Sequence, residues 1–233
     1  MGKRAQKRLI RKLDLELFLA MVKPHPLPNA KLEQYTTSES VAATILHLAA
    51  YNYDDVENKN ILDLGCGTGR LSLASAFLGA KSVVGIDIDR QAVNMAIKNT
   101  NATKFKDKVS WIIGDIDAVS GKFDTVIQNP PFGVQKFAAD RRFLEKALQV
   151  GSTIYSLHNH PHNDKQLAGK LNVSSGRLLQ VEASPFLQRL IEHYGGKIVA
   201  VYALPFIIPR MFEFHTRARH EVIIDLYVIK KSE

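Results

Sequence analysis

Residues Ile61 to Asp89 read ILDLGCGTGRLSLASAFLGAKSVVGIDID. A short apolar run meets a turn with glycine at 65, 67 and 69, and a stretch of apolar and small residues follows up to Gly79. A second apolar run then ends on carboxylates at Asp87 and Asp89. That order predicts strand, glycine turn, helix, strand, the unit from which parallel sheets are built. The glycines let the backbone approach a ligand, and the amino end of the following helix favours negative charge. A dinucleotide fingerprint would place a third glycine at 70, where this chain has Arg70, and the turn lacks the Gly-Lys-Ser/Thr ending of a P-loop.

Working outward, KVSWIIGDI (108–116), FDTVIQN (123–129) and STIYSLH (152–158) read as further strands. Helical stretches alternate with them: RQAVNMAIKN with Asp89 as its cap, DRRFLEKALQ, and PFLQRLIEHYGG opened by Ser184 and Pro185. Strands alternating with helices predict an α/β fold with helices on both faces of a mostly parallel sheet. The tail differs. GKIVAVYALPF and EVIIDLYVIKK, joined by a loop containing PRMFEFHTRARH, suggest an antiparallel pair at the sheet's end. HNHPHNDKQLAGKLNVSSG, from His158, reads as a loop or a weakly ordered helix.

The 233 residues suffice for one domain, divided here into a basic amphipathic helix and linker over 1–28 and a main domain over 29–233. On the first helix Lys3, Arg4, Lys7, Arg8, Arg11 and Lys12 fall on one half, with Leu9, Ile10, Leu13 and Leu17 on the other. The cationic half is either a solvated face or an arm that contacts phosphates. A formal charge of +8 makes nucleic acid a candidate partner. One cysteine, Cys66, excludes an internal disulfide and a Cys-rich zinc site, which fits a reducing, cytoplasmic setting. No apolar run is long enough to span a bilayer, so no membrane role is expected. His158, His160 and His162 alternate, but Pro161 interrupts them and no carboxylate pattern beyond Asp164 completes a metal site, so none is expected.

The fourth strand ends in Asn129, Pro130, Pro131 and Phe132. Two prolines stiffen the backbone and bias the residue before them toward extended geometry, so carbonyls there are aimed in advance. An exocyclic amine is a poor nucleophile because its lone pair is delocalised into the ring. Two acceptors, the Asn129 side-chain oxygen and the Pro130 carbonyl, would orient the nitrogen and favour its pyramidal form. Phe132 could stack on a flat base. The alternative is that Pro-Pro ends a strand and Phe132 packs in the core. Asp63 and the loop of Gly65, Gly67, Thr68 and Gly69, with Asp87 placed for two ribose hydroxyls and Asp115 for an adenine amine, would face one crevice.

These strand ends resemble the Rossmann-like class I methyltransferases that use S-adenosylmethionine. The resemblance implies seven strands, mostly parallel, with the last inserted antiparallel. LEQYTT (32–37), YDDVENK (53–59), DTVIQNPPFG (124–133) and YSLH (155–158) are together similar to the archaeal and eukaryotic family that makes N6-methyladenosine in small-subunit ribosomal RNA. That likeness implies donor contacts from Gln34, Thr37, Gly65, Thr68, Arg70, Asp87, Asp115, Ile116 and Asn129. It also implies an RNA substrate, with Arg217, Arg219 and His220 either contacting phosphate or solvated in a loop. The third strand, at the sheet edge, would offer Trp111 and Ile113 to a small zinc-ribbon activator protein, or else pack Trp111 beneath a helix. Between His160 and Gly196 no counterpart is evident, and substrate contacts are not carried over. Two alternatives share parts of this reading: a glutamine N5-methyltransferase acting on release factors, and a non-catalytic RNA-binding protein that keeps the fold.

Overall fold

The computed structural model describes residues 9–29, 33–34, 37–132, 139–161, 165–171, 178–209 and 219–231. Helices α1 (Lys12–Ala20) and α2 (Glu39–Tyr51) precede the sheet. The alternating part then runs β1 (Asn60–Leu64), α3 (Arg70–Phe77), β2 (Ser82–Asp87), α4 (Arg90–Asn101), β3 (Val109–Ile113), a 3-10 turn (Ile116–Ala118), β4 (Phe123–Gln128), α5 (Ala139–Val150) and β5 (Gly151–Asn159). It closes with α6 (Lys165–Lys170), β6 (Leu179–Gln180), α7 (Pro185–His193), β7 (Gly196–Pro209) and β8 (Arg219–Lys231).

The sheet order is β3-β2-β1-β4-β5-β8-β7-β6. Strands β1 to β5 pair in parallel, while β8 is antiparallel to both β5 and β7. Seven strands therefore follow the expected arrangement, and the two-residue β6 adds an eighth at the β7 edge. After β1 the chain moves to β2 and β3 on one side and returns to β4 on the other. The strand order thus reverses at β1, and the crevice at such a reversal is where open α/β sheets bind ligands.

Alternation along the strands sends side chains to two cores. Ile61, Val83, Ile127 and Leu226 pack with α1, α2 and α3, whereas Leu62, Val126, Ile154 and Tyr227 pack with α5 and α7. Asp89 caps α4 as expected, accepting from the Gln91 and Ala92 amides. Ser184 stands at the start of α7 with Pro185 in the first turn, but its side chain makes no capping bond.

On α1 the expected apolar half is displaced. Of the expected half only Ile10 packs against the core; Leu9, Leu13 and Leu17 are 61%, 55% and 62% exposed, and the buried residues are Leu15, Phe18, Leu19 and Val22. Phe18 decides this, stacking on Phe77 of α3 at 4.6 Å and meeting Phe105 edge-on at 5.7 Å. Arg11 is exposed and ion-paired with Asp14, 2.7 Å away. Lys3, Arg4, Lys7 and Arg8 lie outside the described residues.

Strand β3 forms the sheet edge, but Trp111 is not offered outward. Its Nε1 donates to Thr100 Oγ1 of α4 at 3.2 Å, and its ring lies where a Cβ on Gly69 or Gly85 would stand, 2.4 Å away in each case. The exposed apolar residues of this edge are Ile112 and Ile113. Gly85→Ala would force the indole off the strand, an overpacking that costs about 1–3 kcal/mol. We expect Gly85→Ala to lower the denaturation midpoint, and the loss to shrink in a Trp111→Leu background, as a double-mutant cycle would show.

Candidate active site

The glycine turn between β1 and α3 uses left-handed backbone at all three glycines, with φ of +69° at Gly65, +53° at Gly67 and +86° at Gly69. Gly65 and Cys66 donate their amides to the Ile86 carbonyl, at 2.9 and 3.0 Å. Asp87 completes the turn: Oδ2 accepts from the Gly67 amide at 2.8 Å and Oδ1 from the Asp89 amide at 2.9 Å. A Cβ on Gly67 would meet nothing within 4 Å. The turn is therefore braced from behind and open in front, as a cradle for a ligand must be.

Asp63 lies beneath the cradle and not in its wall. It is fully buried, with Oδ2 accepting from Ser72 Oγ at 2.6 Å and Oδ1 unpartnered among the described residues. Burial pushes its pKa up to about 7, the Ser72 bonds offsetting this only in part. Burial likewise raises Asp87, against the opposing bonds from the Asp89 and Gly67 amides. Cationic groups of a ligand would favour the ionised forms of both.

The segment before α2 crosses the strand ends and is stapled there by side chains from the sheet units. Arg70, buried, donates to the Thr37 carbonyl at 2.6 Å and the Val22 carbonyl at 3.0 Å, and pairs with Glu39 at 3.3 Å. Gln34 Nε2 donates to Asp89 Oδ2 at 2.7 Å, and His25 Nε2 lies 3.1 Å from the same oxygen. Asn99 of α4 donates to the Lys23 and Thr68 carbonyls, each at 3.0 Å. Gln34, Thr37, Thr68 and Arg70 are thus brought together, with Arg70 acting as a brace.

At the end of β4, Asn129 Nδ2 donates to Thr37 Oγ1 at 3.0 Å. Its Oδ1 is buried and has no partner among the described residues. An acceptor left unpaired in a buried place costs about 1–3 kcal/mol unless a ligand satisfies it. Pro130 is buried and Pro131 half-buried. Phe132 is half-buried too, meeting Phe206 of β7 edge-on at 5.9 Å. A cavity of about 180 Å³ is lined by Ser38, Ser40, Val41 and Thr44 at the start of α2 and by residues 204, 205 and 207 of β7, and residues 129–132 do not line it.

Asp115 caps the 3-10 turn through the Asp117 amide and is ion-paired with Arg142 of α5. Arg142 also reaches Asp117 at 2.5 Å, and Ile116 is buried beneath. His25, Asn99 and Arg142 have no sequence signal that marks them, since each works through a partner from another element. Arg217 lies outside the described residues, and Arg219 and His220 open β8. Among the described residues no group of His, Cys, Asp or Glu could hold a metal. His158 faces Ser156 and Asp140, His160 faces Asp225, and His162 lies outside the described residues.

A cradle open at Gly67, the Asp87 carboxylate at the end of β2 and an orphaned amide oxygen one strand away fit S-adenosylmethionine. The fold and this crevice define a class I methyltransferase. The family model described as "Ribosomal protein L11 methyltransferase (PrmA)" matches residues 40–130. The chain is 39% identical to an uncharacterised Methanocaldococcus jannaschii protein, covering 96% of this chain and 95% of that one. It is 30% identical to the Drosophila melanogaster rRNA N(6)-adenosine-methyltransferase, over 91% of this chain and 93% of that one. A solved Pyrococcus horikoshii chain, named as a candidate RNA methyltransferase, superposes with a TM-score of 0.79 at 32% identity, covering 96% and 99% of the two chains. The chain belongs to the rRNA N6-adenosine methyltransferase family.

The raised carboxyl of Asp63 gives a pH dependence of known sign. Between the ordinary value of 3.8 and about 7 the folded chain holds a proton at Asp63 that the unfolded chain has released. In that window Asp63 therefore lowers stability as pH rises, and its contribution levels off above about 7. Asp63→Asn keeps a partner for Ser72 and removes the titration. We expect its unfolding free energy, relative to the unsubstituted protein, to climb from pH 4 to pH 7 and then level off, as urea titrations without donor would show.

Proposed function

We propose that this protein transfers a methyl group from S-adenosylmethionine to N6 of an adenosine in small-subunit ribosomal RNA. The observation that carries the reading is the unpartnered Oδ1 of Asn129, buried while its own Nδ2 is fixed by Thr37. The bound donor supplies an activated methyl on a sulfonium, so the chain needs no strong base at the outset. Gly65, Gly67, Thr68 and Gly69 form the cradle, Asp87 receives the ribose, and Asp115 with Ile116 flanks the adenine. Gln34, Thr37 and Arg70 close the crevice from above.

The acceptor amine is held by Asn129 Oδ1 and the Pro130 carbonyl, each taking one of its hydrogens. That orients the lone pair and favours the tetrahedral nitrogen as the new bond grows. Pro131 stiffens the turn, and Phe132, held edge-on by Phe206, offers a ring to the target base. The target base must be unpaired or flipped out of its helix to reach this turn.

The cationic residues Lys3, Arg4, Lys7, Arg8 and Arg11, with Arg217, Arg219 and His220, would hold phosphates flanking the target. Affinity for RNA should then fall steeply between about 50 and 200 mM salt, and a flat profile by filter binding would remove that assignment. The β3 edge, with Ile112 and Ile113 exposed, is the place where a small zinc-ribbon activator would add a strand. The single cysteine is buried and no described helix is long and apolar enough to cross a membrane, which suits a cytoplasmic enzyme.

Asn129→Ala should lower kcat by at least about 100-fold, the scale of losing a preorganised transition-state contact. Donor affinity should change little. Asp87→Ala should do the reverse, weakening donor binding first. Labelled methyl transfer to ribosomal RNA reads the first effect and calorimetry with the donor the second, while mass spectrometry of the digested RNA locates the methylated adenosine.

A further inference from the structure

A second buried polar chain begins one residue before the catalytic turn. Gln128 and Ser156 are register partners on β4 and β5, and His158 lies two residues further along β5. Gln128 Nε2 donates to Ser156 Oγ at 2.8 Å, Ser156 Oγ lies 2.8 Å from His158 Nε2, and His158 Nδ1 lies 3.4 Å from Asp140 Oδ2. Gln128, Ser156 and His158 are 2% exposed or less, and Tyr227 closes the chain with its ring edge-on to the imidazole at 5.3 Å.

The order of residues is that of a hydrolytic Ser-His-Asp triad, but the placement excludes that use. Ser156 is fully buried and its oxygen already accepts from Gln128. The direction of the chain follows from the amide. Because Gln128 Nε2 can only donate, the Ser156 hydroxyl proton is left for His158 Nε2, which puts the imidazole proton on Nδ1 facing the Asp140 carboxylate.

Gln128 is the last residue of β4, directly before Asn129, and Asp140 lies in the first turn of α5. The chain thus leaves the sheet at one end of this relay and re-enters described structure at the other, with both ends tied to the same Ser156–His158 pair. Asn129 has its other tether at Thr37. We propose that His158 is a positioning residue that, through Ser156 and Gln128, sets the register of the catalytic turn against the donor cradle. A misplacement of about 1 Å at such a turn costs on the order of 100-fold in rate, so two short hydrogen bonds, at 2.8 Å each, and the longer His158–Asp140 contact at 3.4 Å suffice to matter. This rests on the methyl-transfer reading above.

Two amide substitutions separate the ends of the relay. In His158→Gln the amide reaches about as far as Nε2 and keeps Ser156, whereas in His158→Asn it reaches only as far as Nδ1 and keeps Asp140. We expect His158→Asn and Ser156→Ala to lower kcat by about 10- to 100-fold, with donor Kd and RNA KM within about twofold and the denaturation midpoint still above the assay temperature. His158→Gln should recover most of the rate lost in His158→Asn. Equal rates in the two amide variants, or a kcat loss matched by a loss of donor affinity, would overturn the proposal. Should the buried substitutions fail to fold, Asp140→Asn, at a partly exposed position, should lower kcat by a few-fold with donor Kd unchanged; no change in kcat would count against the relay. The imidazole tautomer, read by nitrogen NMR of the unsubstituted protein, is independent of any activity. A proton on Nδ1 is expected and one on Nε2 would overturn the relay, even if the protein transferred no methyl to RNA and the functional reading failed instead.

Discussion

The guanidinium of Arg70 is taken out of water at the start of α3, and much of the crevice depends on where it points. It donates to the carbonyls of Val22 and Thr37 and pairs with Glu39, so one charged group fixes both ends of the segment that crosses the strand ends. Burial depresses its pKa, with Glu39 opposing, and the partners of its two Nη groups offset the cost of a buried charge, while its Nε has none among the described residues. Thr37, fixed at its carbonyl by Arg70, fixes Asn129 through its hydroxyl. The glycine cradle and the proposed catalytic turn lie on different strands, and this short path joins them.

The same economy holds on the carboxylate side. Asp87 braces the glycine turn with one oxygen and the start of α4 with the other, while Asp89 caps α4 and accepts from Gln34. Backbone amides and side chains that would otherwise lie unsatisfied at a helix start instead define the wall of the candidate site. What is left without a partner is informative in this setting. Asn129 Oδ1, Asp63 Oδ1, Gln128 Oε1 and Arg70 Nε are buried without a partner among the described residues, and of these the Asn129 oxygen belongs to the stiffened turn at the end of β4, where an acceptor for a substrate would stand.

The α1 helix shows why an amphipathic pattern alone misleads. Spacing by fours linked Leu9, Leu13 and Leu17 into an apolar stripe, yet the helix turned the neighbouring stripe of Leu15, Phe18, Leu19 and Val22 to the core. The second stripe carries the aromatic ring, and Phe18 stacks on Phe77 and meets Phe105 edge-on, pairings that leucine cannot make. Trp111 is a similar case. An edge strand suggests an outward tryptophan, but Gly69 and Gly85 leave the space that the Trp111 ring occupies.

The order of elements, the glycine turn, the carboxylates at strand ends and the stiffened turn at 129–132 were determined by the sequence, because each is set by local backbone preference, periodicity or a motif of a few residues. Pairings over long separations were decided by the tertiary structure: Thr37 with Asn129, Arg70 with Val22, Gln128 with Ser156 and on to His158 and Asp140. Which polar atoms meet depends on sheet register and on which helix face turns inward, and neither is encoded within a short window. The same reason explains why Asn99, Arg142 and His25 carried no mark in the sequence, although each holds part of the crevice in place.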